Sequence, residues 1–260
     1  MNFISICGIN VSKTTRREVV EFVAERLSKK RKFIIFTPNP EILVIASKKT
    51  EYKKVLNTAD VAIPDGIGLK LADPSLKTIK GREVMTDLFD LADQKKLKIF
   101  LLGSTDKVNN KSLKILSEKF KNVRAKGASG PWLHENGAPA SEQDKSREID
   151  VIKKINAFKP DMLFIAFGAP KQEIWVNKFI SNPPTRRASL QVGGVMVVGG
   201  SLDYFSGKAK LPPAFVANLG LEWLWRLVRE PSRAGRIFNA VVVFPLLVLL
   251  TSFSHQSQKS

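Results

Sequence analysis

Short apolar runs alternate along this chain with segments in which apolar residues recur at helical spacing. Buried strands are predicted at residues 32–36, 60–63, 99–102 and 162–167. Helical patterns follow most of these runs, and the first begins with a capping box of Thr15 and Glu18. This alternation predicts an α/β fold, a Rossmann-like and mostly parallel sheet covered by helices on both faces.

The same pattern predicts further elements around these four strands. Further strands are predicted at residues 3–11, 123–125 and 190–192, and further helices at residues 40–48, 51–57 and 145–158. The last strand is expected to end before Gly193 and Gly194. Residues 127–144 are polar and contain Gly and Pro, which is typical of a loop.

Three of the predicted strands end in unusual loops. Their sequences are TPNPE at residues 37–41, PDGIG at residues 64–68 and GAPKQE at residues 168–173. Neighbouring parallel strands deliver their carboxyl ends to one edge of a sheet, so these loops are expected to meet in one cleft.

The third loop has the features of an anion-binding helix start. Gly168 allows a tight turn, and Pro170 suits a first helical turn. Lys171, Gln172 and Glu173 then stand where the helix offers free N–H groups to a ligand. An ordinary strand-to-helix connection with a polar first turn explains the same pattern equally well.

Asp65 is the one carboxylate placed directly before Gly in a strand-end loop. At such a position the backbone comes close to a ligand, and the side chain reaches a reacting hydroxyl. Locally, turn formation is the more common reason for an Asp-Gly pair. A catalytic role for Asp65 therefore depends on whether the other two loops lie in the same cleft.

The composition fits one large domain with an appendage. The chain has 260 residues with 43% hydrophobic content, and we divide it into an α/β core at residues 1–205 and a helical appendage at residues 206–260. Cys7 is the single cysteine, which suits a reducing compartment. The first residues lack the pattern of a signal peptide, so a cytoplasmic location is expected.

A formal charge of +18 indicates an anionic partner. Nucleic acid, an anionic membrane surface and phosphorylated small molecules would each provide one. Before Arg226 the basic residues are mostly Lys on predicted helix faces, and no nucleic-acid-binding signature occurs. From Arg226 onward they are Arg beside an apolar segment, which favours a membrane surface over nucleic acid.

The C-terminal apolar segment is short for a membrane span. Residues 237–253 form a run of 17 residues interrupted by Asn239 and Pro245, whereas a span needs about 20 apolar residues. An interfacial or re-entrant anchor is therefore favoured, with a core helix or an oligomer contact as the alternative.

Several chemistries lack their sequence signatures. Neither the Gly-x-Gly-x-x-Gly motif of dinucleotide enzymes nor a Gly-Lys-Ser/Thr phosphate loop is present. No Asp-x-Asp pair occurs, and His134 and His255 have no partners at ligand spacing. A metal site is therefore not supported.

Between about residue 3 and residue 236 the chain carries a set of short motifs in order. They are Thr37-Pro38-Asn39, ADVAIPDG at residues 59–66, Gly81, FLLG at residues 100–103, GAPKQE at residues 168–173, LEWLWR at residues 221–226 and EPSR at residues 230–233. The ordered set resembles the WecG/TagA/CpsF glycosyltransferases, glycosyltransferase family 26. This resemblance implies inverting transfer of a sugar, often N-acetylmannosamine, from a UDP-sugar to a polyprenyl-diphosphate-linked sugar. It also implies a metal-independent reaction at the cytoplasmic membrane face.

The resemblance assigns expected roles to individual residues. Asp65 matches the family's general base, and Thr37 and Gln172 match polar residues of the same pocket. The other residues expected to contact substrate are Asn39, Gly66, Gly103, Gly168, Lys171 and Glu173. In the appendage, the basic residues expected to close over the diphosphate are Arg226, Arg233 and Arg236.

The arginines of the appendage recur at steps of three and four. Arg226, Arg229, Arg233 and Arg236 share one helix face if Pro231 does not break the helix. A basic stripe of this kind can also touch lipid phosphates alone, and the two roles are compatible.

Some positions depart from the family pattern. Leu211-Pro212-Pro213 stands where relatives usually read Arg-Ala-Pro, and Glu83 stands where Asp is common. The donor sugar therefore stays open, as does formation of a homo-oligomer. Two alternatives remain: a transferase of the same family that uses another hexose, and a non-catalytic, membrane-associated nucleotide-sugar binding protein.

Overall fold

The computed structural model describes residues 2–183, 189–213, 216, 222–231 and 234–256, without the side chains of Arg226 and of residues 251–256. The described residues form eight strands: β1 (Asn2–Ile6), β2 (Ile9–Lys13), β3 (Ile34–Phe36), β4 (Val61–Ala62), β5 (Lys98–Gly103), β6 (Arg124–Ala128), β7 (Met162–Ala166) and β8 (Gly194–Val197). Strands β3 to β8 form one parallel sheet in the order β4-β3-β8-β7-β5-β6. The predicted α/β fold with a mostly parallel sheet is confirmed.

Helices cover both faces of this sheet. In chain order, the α-helices of the described residues are α1 (Arg16–Ser28), α2 (Pro40–Ser47), α3 (Thr50–Leu56), α4 (Gly81–Gln94), α5 (Asp106–Lys119), α6 (Glu142–Phe158), α7 (Lys171–Val176), α8 (Ser201–Phe205), α9 (Glu222–Arg229), α10 (Ala234–Phe238) and α11 (Phe244–Gln256). Buried residues of α1, α4, α5 and α8 pack on one face of the sheet. Buried residues of α2, α3, α6, α7 and α11 pack on the other.

Strand β5 shows how one apolar run supplies both cores. Phe100 and Leu102 belong to the core under α2 and α6, whereas Ile99 and Leu101 belong to the core under α1 and α4. Successive side chains of a strand point to opposite faces, so a sheet covered on both sides needs apolar residues at every position.

The N-terminal apolar run differs from the prediction. Residues 3–11 were predicted to be one strand, but the chain turns at Cys7 and Gly8, where φ is positive, and forms the antiparallel hairpin β1–β2. Strand β2 lies beside β4, the edge strand of the large sheet, and the Ser12 hydroxyl accepts a hydrogen bond of 2.9 Å from the Ala62 N–H. The hairpin therefore covers that edge.

The last strand also lies elsewhere than predicted. It was placed at residues 190–192, but β8 begins at Gly194. The Phe33 ring lies 2.2 Å from the position that a Cβ of Gly194 would take. Glycine is therefore required at this position of the strand, because any side chain would collide with the ring. Helix α4 was not predicted, and α6 begins at Glu142, three residues before its predicted start.

The shared basic helix face was predicted only on the condition that Pro231 does not break the helix, and this condition is not met. Helix α9 ends at Arg229 and α10 begins only at Ala234. Pro231 has no backbone N–H to continue the helix and disfavours helical geometry in the residue before it. Arg226 and Arg229 therefore belong to α9, and Arg236 belongs to α10.

Helix α11 follows a π-helical turn, Asn239–Val243, and packs on the core. Pro245 is its second residue, directly after the π-helical turn, and it cannot donate the backbone hydrogen bond of a helix that continues from residue 234. Phe244 and Val248 are buried in the core, and α11 contacts α2. Among the described helices, none combines the length and the hydropathy that crossing a bilayer requires.

Candidate functional site

A cavity of about 150 Å³ opens at the carboxyl ends of β3, β4, β7 and β8, and we call it the central cavity. The three loops singled out from the sequence meet here. The sequence-predicted residues that line it are Thr37, Asn39, Asp65, Gly168, Gln172 and Arg236. The roles assigned to these residues stay predictions, but the structure brings the side chains into one space.

Asp65 is held in place by the backbone around it. Its own N–H donates to the Pro38 carbonyl at 3.0 Å, and its Oδ2 accepts from the Gly81 N–H at 3.3 Å. A Cβ at position 81 would lie 3.0 Å from Cγ2 of Thr37 and 3.2 Å from Oδ2 of Asp65. Glycine at this helix start therefore lets the Thr37 and Asp65 side chains approach each other.

Gln172 is fixed from both ends of its side-chain amide. Its Oε1 accepts from the Gly168 N–H at 3.1 Å, and its Nε2 donates to Oε1 of Glu173 at 2.8 Å. The Tyr52 hydroxyl donates to Oε2 of the same Glu173 at 3.1 Å. Both ends of the amide are thus engaged, which sets its orientation at the cavity wall.

Glu173 lies behind the cavity wall and does not line it. Its side chain is fully buried, and burial raises the pKa of its carboxyl, although the hydrogen bonds from Gln172 and Tyr52 oppose this rise. Burial, followed by the charge of Glu173, raises the pKa of the Tyr52 hydroxyl well above its ordinary value. The residue predicted to contact substrate therefore supports Gln172 from the protein interior.

The first turn of α2 contributes two further groups. Oδ1 of Asn39 accepts from the Ile42 N–H at 2.9 Å and caps the helix. Next to it, Glu41 pairs with Arg236 of α10, with Nε and Oε1 3.4 Å apart. This ion pair connects the C-terminal helices to the cavity.

Two cations at the cavity were missed by the sequence reasoning. Lys80 and Arg82 both pair with Glu222 of α9, with 3.3 Å between Nη1 of Arg82 and the carboxylate. Burial raises the pKa of Glu222, but its hydrogen bonds with the two cations outweigh burial, and the pKa is lowered overall. The guanidinium of Arg82 also lies over the Tyr204 ring, 5.7 Å from its centroid. The signal was the pair of basic residues around Gly81, at the start of the helix α4 that was not predicted.

A second cavity of about 370 Å³, which we call the side cavity, opens at the carboxyl ends of β5, β6 and β7. Lys171, Arg147 and Trp132 line it, together with Ser104, which follows the predicted residue Gly103. Lys171 therefore faces a different cavity from its neighbour Gln172.

Other predicted residues lie outside these walls or outside the described residues. Gly66 follows Asp65 with φ of 113° and is not among the residues that line either cavity. Arg233 and the side chain of Arg226 lie outside the described residues. In the part of the chain that the structure describes, no group of three His, Cys, Asp or Glu residues is arranged to hold a metal ion.

Comparison with known proteins identifies relatives of this chain. The model of the Glycosyl transferase WecG/TagA/CpsF family matches residues 4–258. A protein of Bacillus spizizenii is 33% identical over 210 residues, which cover 79% of this chain and 74% of the relative. A protein of Staphylococcus aureus strain MRSA252 is 29% identical over 241 residues, which cover 90% and 87%. Both are named N-acetylglucosaminyldiphosphoundecaprenol N-acetyl-beta-D-mannosaminyltransferase.

Proposed function

Because the chain belongs to the WecG/TagA/CpsF family of glycosyl transferases, we propose that it moves a sugar from a UDP-sugar to a polyprenyl-diphosphate-linked saccharide. The sugar is N-acetylmannosamine or a related hexose, by analogy with the names of the relatives. One observation carries the proposal: Asp65 and Gln172, from loops far apart in the chain, line the same cavity.

The proposed reaction inverts the anomeric carbon and needs one base. The acceptor hydroxyl attacks that carbon, and its proton passes to the Asp65 carboxylate. The bond between the anomeric carbon and the diphosphate oxygen breaks, and UDP leaves with its electron pair. The N–H of Gly81 sets the direction of the Asp65 carboxylate, and the fixed amide of Gln172 offers a second polar contact at the same centre.

Negative charge on the departing UDP has to be balanced as it develops. Lys80, Arg82 and Arg236 line the central cavity and supply positive charge there. Each is paired with a carboxylate, Glu222 or Glu41, and the ligand diphosphate would compete for these pairs. We propose that these cations make a metal unnecessary. Full turnover after treatment with EDTA is expected, and a loss that added Mg²⁺ or Mn²⁺ restores would contradict it.

The side cavity suits the nucleotide half of the donor. Its volume of about 370 Å³ falls within the range of small-molecule sites. Trp132 offers an aromatic face, and Arg147 and Lys171 offer positive charge. Lys171 and Gln172 are successive residues that line the two cavities, so a donor lying across this helix start would place its sugar near Asp65.

We also place the protein at the cytoplasmic face of a membrane as a peripheral protein. The net charge of +18 and the exposed apolar side chains of α10 and α11 support attachment to an anionic lipid surface. The relatives' names contain a lipid-linked acceptor, which would be presented at such a surface.

Substitution Asp65→Asn tests the proposed base. Turnover of a UDP-sugar with a short-chain polyprenyl-diphosphate N-acetylglucosamine should fall by about a hundredfold or more, because general-base assistance is lost. Binding of UDP, measured by titration calorimetry, should stay the same. Asp150→Asn, on the exposed side of α6, is the matched control and should keep wild-type turnover. A rate near wild type for Asp65→Asn would refute the assignment.

A screen of UDP-sugars with the same acceptor separates the remaining functions. Turnover of UDP-N-acetylmannosamine alone would fix the donor, and turnover of another hexose would identify a different transferase of the family. Binding of UDP-sugars without turnover of any donor, in the presence of the lipid-linked acceptor, would favour a non-catalytic nucleotide-sugar binding protein.

A further inference from the structure

The 3₁₀ helix that follows the proposed base carries two exposed apolar side chains. It spans Ile67–Leu71, and Ile67 and Leu71 are 57% and 59% exposed. Leu69 between them is fully buried and anchors the turn in the core. The chain therefore holds two large apolar residues in solvent on a firmly attached turn, directly after Asp65.

The C-terminal helices present a second set of exposed apolar residues beside this turn. Helix α11 contacts the 3₁₀ helix, and its buried Phe244 and Val248 face the core. The exposed large apolar residues of α10, the π-helical turn and the described side chains of α11 are Phe238, Val241, Val242, Leu246, Leu249 and Leu250. With Ile67 and Leu71, they make up what we call the exposed apolar surface. Between Arg236 and residue 253 the sequence contains no charged residue.

The exposed apolar surface begins at the rim of the central cavity on both of its elements. Ile67 follows Asp65 by two residues, and Phe238 follows Arg236 by two residues. Lys70, on the 3₁₀ helix itself, is exposed and adds a positive charge beside the apolar side chains. Apolar residues flanked by basic residues are typical of segments that lie in the interface of an anionic bilayer.

We propose that the 3₁₀ helix Ile67–Leu71 and the exposed face of α10 and α11 enter the lipid bilayer together, so that the catalytic core itself contacts the membrane beside Asp65. This proposal rests on the proposed function and extends it from the C-terminal helices to the core. A bilayer is the occupant that fits best, because a lipid-linked diphosphate reaches the cavity from the membrane surface. A partner protein bound on the exposed apolar surface would separate the central cavity from the membrane that carries the lipid-linked diphosphate.

The depth of insertion matches the expected position of the acceptor. Interfacial apolar faces lie about 5–10 Å into the boundary between headgroups and acyl chains. A diphosphate attached to a polyprenyl chain lies at the headgroup level of the same boundary. With Ile67 and Leu71 in that layer, the Asp65 carboxylate would be held next to the headgroups without any movement of the lipid out of the membrane.

The test compares two acceptors and one surface variant of the full chain. Ile67→Ser with Leu71→Ser should lower binding to vesicles of phosphatidylethanolamine and phosphatidylglycerol by about tenfold or more, measured by co-sedimentation. Turnover of an undecaprenyl-linked acceptor in those vesicles should fall by a similar factor. Turnover of a short-chain, water-soluble acceptor should stay at the wild-type rate. Phe3→Ser, an exposed apolar residue of the N-terminal hairpin, is the matched control and should change none of these.

Each other outcome has a defined meaning. Unchanged vesicle binding by the Ile67→Ser, Leu71→Ser variant would overturn the proposal. If that variant also changed from dimer to monomer, the exposed apolar surface would be an interface between two copies of the chain. If turnover of the soluble acceptor also falls, the Ile67→Ser, Leu71→Ser variant has lost more than membrane contact, and a second double variant, Leu246→Ser with Leu250→Ser, is measured instead. Unchanged vesicle binding by that second variant would refute the proposal that the exposed apolar surface enters the bilayer. A wild-type protein that binds vesicles through these residues but transfers no sugar would refute the proposed function and leave the surface standing.

Discussion

Removal of the Tyr52 hydroxyl tests the buried network behind Gln172. In Tyr52→Phe the ring stays in the core, and the Glu173 carboxylate loses one of its two side-chain donors. A hydrogen bond to a charged group contributes about 1.5–3 kcal/mol. For a chain of this size each kcal/mol corresponds to roughly 2–4 °C in melting temperature, so a loss of about 3–12 °C is expected.

The size of this loss should depend on pH. Burial raises the pKa of Glu173 above its value in the unfolded chain, about 4.3. The stability that this carboxyl contributes is therefore fully present below about pH 4.3 and is lost as pH rises through the folded-state pKa. The hydrogen bond from Tyr52 lowers that pKa. Without it, Glu173 of the Tyr52→Phe variant has a higher pKa in the folded state than in the wild type, so the variant loses more folding stability as the pH rises. The gap between variant and wild type should widen between about pH 5 and about pH 8.

Thermal unfolding by circular dichroism at the two pH values measures the gap. In a Glu173→Gln background no carboxyl titrates at this position, so the effect of Tyr52→Phe should be the same at both pH values. Ser117→Ala, whose exposed hydroxyl donates only to a backbone carbonyl of its own helix, is the control and should cost less than about 0.5 kcal/mol. A gap that is equal at both pH values with Glu173 present, or no loss at all, would refute this account of the network.

Three further substitutions test other parts of the structure. Gly103→Ala should destabilise the protein by at least about 2 kcal/mol in urea unfolding, because φ is 104° and a Cβ would lie 2.7 Å from the Ala166 carbonyl; an unchanged midpoint would contradict this. Glu148→Leu leaves the buried indole N–H of Trp175 without its acceptor at 2.9 Å and should cost about 1–3 kcal/mol, seen as a lower melting temperature. Glu222→Ala removes the ion pairs that hold α9, each worth about 1 kcal/mol at most, and limited proteolysis near residues 222–230 should become about fivefold faster. Equal cleavage rates would show that other contacts hold this helix.

The strand-end loops were predictable because each follows a buried strand of a parallel sheet. Topology then brings Thr37, Asp65 and Gln172 to one edge, whatever the order of the strands. Which of the two cavities each residue of a loop would line was not predictable. Lys171 and Gln172 are adjacent in the sequence, yet they line different cavities because the helix start turns between them.

The parts that sequence reasoning missed depend on long-range contacts. Glu173 looked like a ligand-contacting residue, but Tyr52 from a distant helix draws its carboxylate into the core. Lys80 and Arg82 flank Gly81, the first residue of a helix that was not predicted, and both pair with Glu222, which is remote in the sequence. Gly194 looked like a strand end, but the Phe33 ring requires it within the sheet. Tyr52, Glu222 and Phe33 are each remote in the sequence from the residues that they contact, and the sequence pattern does not reveal such contacts.

The N-terminal hairpin has a consequence for the behaviour of the protein at high concentration. An uncovered outer strand exposes main-chain donors and acceptors that can recruit a strand from another molecule. Here β4 is only two residues long, and Ser12 of β2 occupies the amide of Ala62. Loss of the first 13 residues would therefore open a site for intermolecular strand addition, and such a shortened chain should precipitate where the full chain stays dissolved.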